Sequence, residues 1–146
     1  IVGGKDPQHD SYVSKLKASI DEAGLHDEIV FTDHRTDMRE IYAVSTLVLA
    51  VSNKAESFGR TALEPLSIGT PTVGFDLGGV GEILAALFPS GRVPNQDSQA
   101  LVDTVAGLLT APMPPIAPNT EFLLSSMCEH TLQTYGELVS QKETQQ

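Results

Sequence analysis

Seven residues separate Glu56 from Glu64 in the segment ESFGRTALE. The segment follows an apolar run and leads into a stretch with helical spacing, which predicts a strand-to-helix junction. On that helix Glu64 lies one turn beyond Arg60, where its carboxylate could accept hydrogen bonds from both hydroxyls of a ribose. Glu56 lies in the preceding loop, where it could contact the next group of such a ligand, a sugar. The pair therefore indicates a site for a nucleotide sugar.

The start of the predicted helix is suited to a diphosphate. The backbone amides of Arg60, Thr61 and Ala62 are expected to lack internal acceptors and to lie at the positive end of the helix dipole. Gly59 has no side chain, so the main chain can approach a phosphate closely. In an open α/β sheet, ligands collect outside the carboxyl ends of the strands, and this junction lies at such an end.

Each of these residues also has a simpler interpretation. Arg60 and Glu64 could form an ordinary ion pair on a helix surface, and Glu56 could be a solvated loop acid. Phe58 could fill the core. The ligand-binding interpretation is favoured because these residues occur together where a strand ends and a helix begins.

Three short runs have apolar residues at consecutive positions, which is the pattern of strands buried on both faces of a parallel sheet. They cover residues 29–31, 47–51 and 72–75. The first residues, IVGG, also resemble the end of a buried strand. Strands that alternate with helices predict a right-handed βαβ series in a doubly wound sheet of the Rossmann type.

Helical spacing occupies the segments between the predicted strands. The stripe of the first helix ends at Gly24, a left-handed cap, and Asp37 with Glu40 forms a capping-box pattern before the second. Gly69 and Pro71 stop the third helix. The predicted helices cover residues 13–23, 38–45, 60–68, 82–87 and 99–109.

The C-terminal part follows the helix that begins after Asp97. The apolar positions expected to share one face of that helix are Leu101, Val102, Val105, Leu108 and Leu109. Four prolines within residues 111–118 predict a stiff, non-helical connector. Asn119 is then expected to cap a long final helix with an apolar stripe, before a polar tail over residues 141–146. Cys128 is expected to be a small buried hydrophobe on this helix.

Composition bounds the class of protein. A chain of 146 residues can form one domain. Nineteen acidic against nine basic side chains give a formal charge of −10, which would repel a nucleic-acid backbone. The single cysteine fits a reducing, cytoplasmic location. No apolar run approaches the ~18 residues of a membrane span, so membrane association is expected only through a part of the protein outside this chain.

Residues Phe31 to Leu84 resemble the carboxyl-terminal domain of retaining GT-B glycosyltransferases, the large family often called group 1 or family 4. The hallmark of that family is two glutamates separated by seven residues in an E-G-F-G-x-x-x-x-E stretch, which ESFGRTALE matches closely. Looser similarity extends from IVGG to the final helix. The resemblance implies an α/β fold with a Rossmann-like doubly wound parallel sheet, the C-terminal half of a GT-B architecture.

The resemblance also implies roles for individual residues. Glu56 would be the catalytic residue that contacts the donor hexose near the reacting centre, and Glu64 would hold the ribose hydroxyls. The other implied contacts are the donor sugar at Ser57, Phe58 and Gly59, the diphosphate at Arg60 and Thr61, the nucleobase at Asp33, His34 and Arg35, and the cleft floor at Gly78, Gly79 and Glu82. The simpler interpretation of the last three is a tight turn and a helix-starting acid.

The sequence departs from the family pattern at three points. Ser57 replaces a common glycine and adds a side chain near the donor, and Pro65 replaces a common alanine and removes a helical amide. The basic pair that neutralises the diphosphate in the family is expected before residue 1, so this chain alone should bind donor weakly. We expect a nucleotide-sugar-binding domain over residues 1–110 without its first strand and helix, the connector over 111–118, and a C-terminal helix and tail over 119–146.

Enzymes of this family move a sugar from a nucleoside diphosphate to an acceptor hydroxyl with retention of configuration. The resemblance implies a hexosyltransferase of polysaccharide or glycolipid biosynthesis with no cofactor and no metal, inactive as this chain alone. Its partners would be a nucleotide sugar, a carbohydrate or glycolipid acceptor, and a missing N-terminal acceptor-binding domain. Two alternatives stay open: a sugar-nucleotide epimerase or phosphorylase of the same architecture, and a non-catalytic doubly wound interaction module.

Overall fold

The computed structural model describes residues 1–4 and 10–144, in two compact units, Ile1–Ile41 and Tyr42–Gln146. The helices are α1 (Asp10–Glu22), α2 (Met38–Val44), α3 (Arg60–Ser67), α4 (Gly78–Leu87), α5 (Ser98–Thr110) and α6 (Leu124–Thr144). The strands are β1 (Val48–Ala50), β2 (Thr72–Phe75) and β3 (Arg92–Val93), and a 3-10 turn covers Pro89–Gly91. Among the described residues, no helix has the length and hydrophobicity that crossing a bilayer requires.

In the first unit, α1 forms close to its predicted position. Ile20 is buried on the predicted apolar stripe, which gives the helix its inward face. The helix ends before Gly24, whose φ of 70° confirms the predicted left-handed cap.

The predicted strand over residues 29–31 is wrong as a regular element. The terminal amino group of Ile1 donates to the Val30 carbonyl at 2.6 Å, and the Thr32 amide donates to the Ile1 carbonyl at 3.0 Å. These two bonds have the pattern of a parallel ladder. Asp33 then takes a left-handed conformation with φ 54°, which turns the extended chain before the ladder can lengthen.

The second unit contains a parallel sheet in the order β1-β2-β3. Its register sets Leu49 opposite Val73 and Gly74 opposite Arg92. Every residue of β2 is buried, as predicted for a strand covered on both faces. Helices α3, α4 and α5 pack against the sheet, which confirms the predicted α/β class. The core comprises Ala50, Ala62, Leu63, Leu66, Val73, Phe75, Val80, Ile83, Leu84, Leu87, Phe88, Val93 and Leu108.

The start of α4 and the elements after it differ from the prediction. The helix begins at Gly78, four positions before the predicted start at Glu82, so the Gly-Gly pair belongs to its first turn. The 3-10 turn and β3 were not predicted, because a strand of two residues leaves no periodic pattern. Val93 of β3 is fully buried, and Arg92 forms an ion pair with Asp76 at 2.7 Å.

Helix α5 follows Asp97, as predicted, and the structure shows that the Asp97 carboxylate caps it by accepting a hydrogen bond from the Ala100 amide at 2.9 Å. The predicted single apolar face is only partly confirmed. Leu108 is buried, whereas Val102 and Leu109 are 60% and 55% exposed. These two lie one heptad apart on a side of the helix that turns away from the core.

The connector over residues 111–118 contains no helix, as predicted. Helix α6 begins at Leu124, later than predicted, because Asn119 instead closes a turn by accepting the Phe122 amide at 3.0 Å. The helix runs to Thr144, so it extends into the predicted tail, whose last two residues lie outside the described part. Its apolar residues Leu124, Met127, Leu132, Tyr135, Leu138 and Val139 are exposed.

Cys128 is exposed on α6, so the expectation of a buried hydrophobe is wrong. The expectation assumed that the apolar stripe of the final helix faces a core. Because that stripe is exposed in the described residues, nothing there buries the thiol.

Candidate functional site

Gly59 forms the bend between the β1 loop and α3. Its φ is 86°, and an added Cβ would lie 2.6 Å from the Val80 nitrogen, so only glycine fits here. Its carbonyl accepts hydrogen bonds from the amides of Ala62 at 3.0 Å and Leu63 at 3.1 Å. The prediction of a free Ala62 amide is therefore wrong. Among the described residues, the amides of Arg60 and Thr61 have no acceptor.

The half-buried Glu56 is held by contacts from two elements. Thr61 Oγ1, in the first turn of α3, lies 3.1 Å from each oxygen of its carboxylate. The Glu56 carbonyl accepts the amide of Gly79 in α4 at 2.9 Å. The carboxylate and the backbone carbonyl of Glu56 are therefore both restrained, unlike those of a solvated loop acid.

Glu64 and Arg60 form the ion pair that was the simpler interpretation of their spacing. Arg60 Nε donates to Glu64 Oε1 at 2.8 Å, and a terminal guanidinium nitrogen lies 2.6 Å from the same oxygen. The side chain of Arg60 is 78% exposed and that of Glu64 is 36% exposed. Because both contacts use Oε1, Oε2 keeps its capacity to accept other hydrogen bonds.

Gly78 and Gly79 support the loop that carries Glu56. Gly78 has φ 55°, and an added Cβ would lie 2.7 Å from the Glu56 carbonyl oxygen. A Cβ on Gly79 would lie 2.3 Å from the carbonyl carbon of Phe58. Side chains at either position would push the loop away. Glu82, one turn further along α4, is exposed and has no hydrogen bond or ion pair among the described residues.

Phe58 is 50% exposed, so the alternative that it fills the core is wrong. Its ring meets the ring of Phe122 at a centroid distance of 6.4 Å and an interplanar angle of 81°, an edge-to-face contact. From the sequence, Phe122 is expected only as one of the apolar residues on the stripe of the final helix. A contact across 63 intervening residues leaves no local signal in the sequence.

Tyr42 is a second residue whose relation to the site was not predicted from the sequence. Burial raises the pKa of its phenol, and the negative charges of Glu64 and Glu56 raise it further, while Arg60 lowers it. The tyrosine is therefore neutral at physiological pH and lies within the electrostatic range of both glutamates. Tyr42 lies on α2, outside the ESFGRTALE segment, so no local spacing linked it to the two glutamates.

The residues predicted to contact the nucleobase belong to the first unit. The Asp33 carbonyl accepts the Gly3 amide at 3.1 Å. Arg35 Nε donates to Asp37 Oδ1 at 2.8 Å, and a second guanidinium nitrogen contacts Oδ2. This pairing raises the pKa of Arg35 and lowers the pKa of Asp37. Arg35 thus occupies the Asp37 carboxylate, which the capping-box pattern had predicted as the cap of α2. A nucleobase role for Asp33, His34 and Arg35 stays a prediction.

No group of three or more His, Cys, Asp or Glu side chains within residues 1–4 and 10–144 is arranged to hold a metal ion. The donor set around α3 consists instead of two carboxylates, a guanidinium, a hydroxyl and backbone amides. Such a set can hold hydroxyl-bearing and phosphate-bearing ligands.

Comparison with known proteins gives consistent matches. A sequence profile described as "Glycosyl transferases group 1" matches residues 1–119. The chain is 31% identical over 118 residues to the lipopolysaccharide core biosynthesis mannosyltransferase LpcC of Rhizobium leguminosarum bv. viciae, which covers 80% of this chain and 33% of that protein. It is 32% identical over 119 residues to the 2-deoxystreptamine glucosyltransferase of Streptomyces kanamyceticus, covering 80% of this chain and 30% of that protein.

Among solved structures, Anabaena Alr3699/HepE in complex with UDP and glucose is similar, with a TM-score of 0.70 and 27% identity. The match covers 75% of this chain and 30% of that chain. This chain thus spans about a third of the length of the curated relatives that it matches, 33% and 31% for the two lipopolysaccharide mannosyltransferases.

Proposed function

Because this chain belongs to the family of group 1 glycosyl transferases, we propose that it forms the donor-binding part of a retaining hexosyltransferase, the C-terminal half of a GT-B enzyme. One observation carries the proposal. Glu56 and Glu64 flank a helix start whose first two amides have no acceptor within the described part of the chain. A nucleoside-diphosphate sugar carries its phosphates between the ribose and the sugar. Its site therefore needs hydrogen-bond donors for the phosphates, with hydrogen-bond acceptors for the hydroxyls on either side.

The diphosphate binds at the start of α3. The amides of Arg60 and Thr61 donate to its oxygens, and Gly59 lets the main chain approach them. These donors are fixed before the ligand arrives, so they stabilise the charge that develops on the leaving phosphate without reorganisation. Arg60 is exposed and can add its positive charge.

The ribose binds at Glu64. Both contacts from Arg60 reach Oε1, so Oε2 can accept a ribose hydroxyl while the ion pair stays intact. Arg60 then fixes the rotamer of the carboxylate that sets the register of the nucleotide.

The sugar binds beside Glu56, with the amides of Ser57, Phe58 and Gly59 along its path. The Glu56 carboxylate orients the hexose and supports the positive charge that develops at the anomeric carbon when the bond to the phosphate breaks. The acceptor oxygen forms the new bond at that carbon, and its proton passes to the oxygen of the departing diphosphate. No metal is required in this scheme, because backbone amides and basic side chains neutralise the leaving group.

The acceptor site and a basic pair for the diphosphate belong to an N-terminal domain outside this chain. The short coverage of the relatives is consistent with this arrangement. Relatives carry the names of mannosyl-, glucosyl- and N-acetylglucosaminyltransferases, which supports a hexose donor. Two relatives act in lipopolysaccharide core biosynthesis by name, and this supports a carbohydrate or glycolipid acceptor.

Sugar transfer by the full-length natural protein tests the proposal. The assay uses UDP-, GDP- and ADP-hexoses with a mixed glycan acceptor and follows the anomeric configuration of the product by NMR. We expect transfer with retention, and a loss of at least about 100-fold in kcat for Glu56→Gln. The matched control is Glu129→Gln, an equal charge change on α6. Near wild-type turnover in Glu56→Gln would reject the role of Glu56, and conversion without an acceptor would favour the epimerase alternative.

A further inference from the structure

Phe122 contacts the loop that carries Glu56 from a distant part of the chain. Its ring packs edge-to-face on Phe58, with 6.4 Å between the centroids. Phe58 lies two residues after Glu56 and is half exposed. The contact with Phe122 therefore restrains the exposed ring of this loop.

Phe122 is itself fixed by the turn before α6. Its amide donates to the Asn119 side chain at 3.0 Å, and its ring is half buried against the core of the second unit. Two residues before Asn119, the Ala117 amide donates to the Leu87 carbonyl at 2.8 Å. The ring of Phe122 is thus attached to the same rigid core that holds the sheet.

The opposite side of the loop rests on the first turn of α4. The Gly79 amide donates to the Glu56 carbonyl at 2.9 Å, and the missing side chain of Gly79 leaves room only for the Phe58 backbone. The loop is therefore held between α4 and Phe122. Loss of either support would leave the Glu56 carboxylate with one restraint fewer beside its contact with Thr61 on α3.

We propose that Phe122 is a positioning residue for Glu56, acting through Phe58, and this rests on the proposed function of the site. In the proposed transfer step, Phe122 does not contact the reacting atoms. Its edge-to-face contact restricts the Phe58 loop, and the loop fixes where the Glu56 carboxylate meets the sugar. Misplacement of a catalytic group by about 1 Å can cost roughly 100-fold in rate, so a modest loosening of the loop should lower turnover measurably.

The test compares Phe122→Ala, Phe122→Tyr and Leu123→Ala in the full-length natural protein. Leu123→Ala removes an apolar side chain from the next position, which is 42% exposed, and serves as the matched control. Two quantities are measured: kcat and KM for the donor, and the hydrogen-exchange rate of the Gly79 amide. We expect Phe122→Ala to lower kcat about tenfold with a smaller change in KM, and to speed exchange at Gly79. Phe122→Tyr should restore both, and Leu123→Ala should change neither.

The exchange rate separates this inference from the proposed function. One outcome is that the wild-type protein transfers no sugar while Phe122→Ala still shows faster exchange at the Gly79 amide. That combination would support the loop contact and reject the transferase function. Unchanged kcat and unchanged Gly79 exchange in Phe122→Ala would overturn the inference. Should Phe122→Ala fail to fold, Phe122→Leu provides the same comparison, because it keeps the apolar volume without the aromatic edge.

Discussion

Thr61 Oγ1 lies 3.1 Å from both carboxylate oxygens of Glu56, so one hydroxyl restrains both atoms that would contact a donor sugar. The contact joins the β1 loop to the first turn of α3. The family resemblance assigned Thr61 to the diphosphate. Its amide stays available for that role among the described residues, while its side chain orients Glu56.

Replacement of Thr61 by valine should lower turnover more than donor binding. Valine keeps the shape of threonine and removes the hydroxyl, and hydrogen bonds to charged groups contribute roughly 1.5–3 kcal/mol when sheltered. Thr61 is exposed, so we expect a smaller effect, a five- to tenfold loss of kcat. Steady-state kinetics of the full-length protein measures it, with Thr61→Ser as the control that keeps the bond. Equal kcat for Thr61→Val and wild type would contradict an orienting role.

The Arg60–Glu64 pair should contribute little to folding. Exposed pairs four residues apart on a helix stabilise by roughly 0.3–0.5 kcal/mol, and Arg60 is 78% exposed. We therefore expect Arg60→Met to change the free energy of unfolding in urea by less than about 0.5 kcal/mol. Arg39→Met is the control for loss of one positive charge. A loss above about 1.5 kcal/mol would mean that Arg60 is a structural residue.

Gly79→Ala should displace the Glu56 loop. The added Cβ would lie 2.3 Å from the Phe58 carbonyl carbon and oxygen, and these backbone atoms cannot yield as a flexible side chain can. We expect a loss of roughly 2–4 kcal/mol in the free energy of unfolding, as for other severe steric conflicts. Gly107→Ala is the matched control, because its Cβ would meet nothing within 4 Å on helix α5. That change should be neutral or stabilising by up to about 1 kcal/mol. Equal stability of the two variants would show that the loop does not rest on Gly79.

Local signals account for what could be predicted from the sequence. The start of α5 after Asp97 and the left-handed Gly24 each depend on the chemistry of a few adjacent residues. Strand β2 was predictable because burial on both faces leaves a continuous apolar run. The conjunction of Glu56 and Glu64 was visible because both lie within one loop and helix.

The remaining features depend on contacts between distant segments. The support of the Glu56 loop by Gly79, and the contact of Phe58 with Phe122, join residues that no spacing rule connects. The predicted burial of Cys128 is wrong for a related reason, because the cysteine is exposed. An apolar stripe predicts that a helix face can be buried, but the sequence does not name the surface that buries it.

The Asp37 carboxyl should titrate at a higher pH when Arg35 is replaced by glutamine. The hydrogen bond from Arg35 lowers the Asp37 pKa below its ordinary value of 3.8. A lowered carboxyl pKa stabilises the fold above the unfolded-state value, and this contribution is lost as the pH falls through the folded-state value. NMR titration of the Asp37 carboxyl measures the change, with Arg39→Gln as the control. An unchanged Asp37 pKa in Arg35→Gln would show that the pair does not form in solution.

Glu64 should contribute to nucleotide binding through the ribose. The measurement is calorimetric titration of the full-length natural protein with UDP, GDP and ADP, for wild type, Glu64→Ala and the control Glu129→Ala. A carboxylate that accepts hydrogen bonds from ribose should raise the affinity for the nucleotide roughly tenfold or more, because its loss leaves the ribose hydroxyls unpaired in the site. We predict that one nucleotide binds wild type and Glu129→Ala equally and binds Glu64→Ala at least about tenfold more weakly. Equal affinity for wild type and Glu64→Ala, or binding of none of the three nucleotides to the wild type, would rule out a ribose site at Glu64.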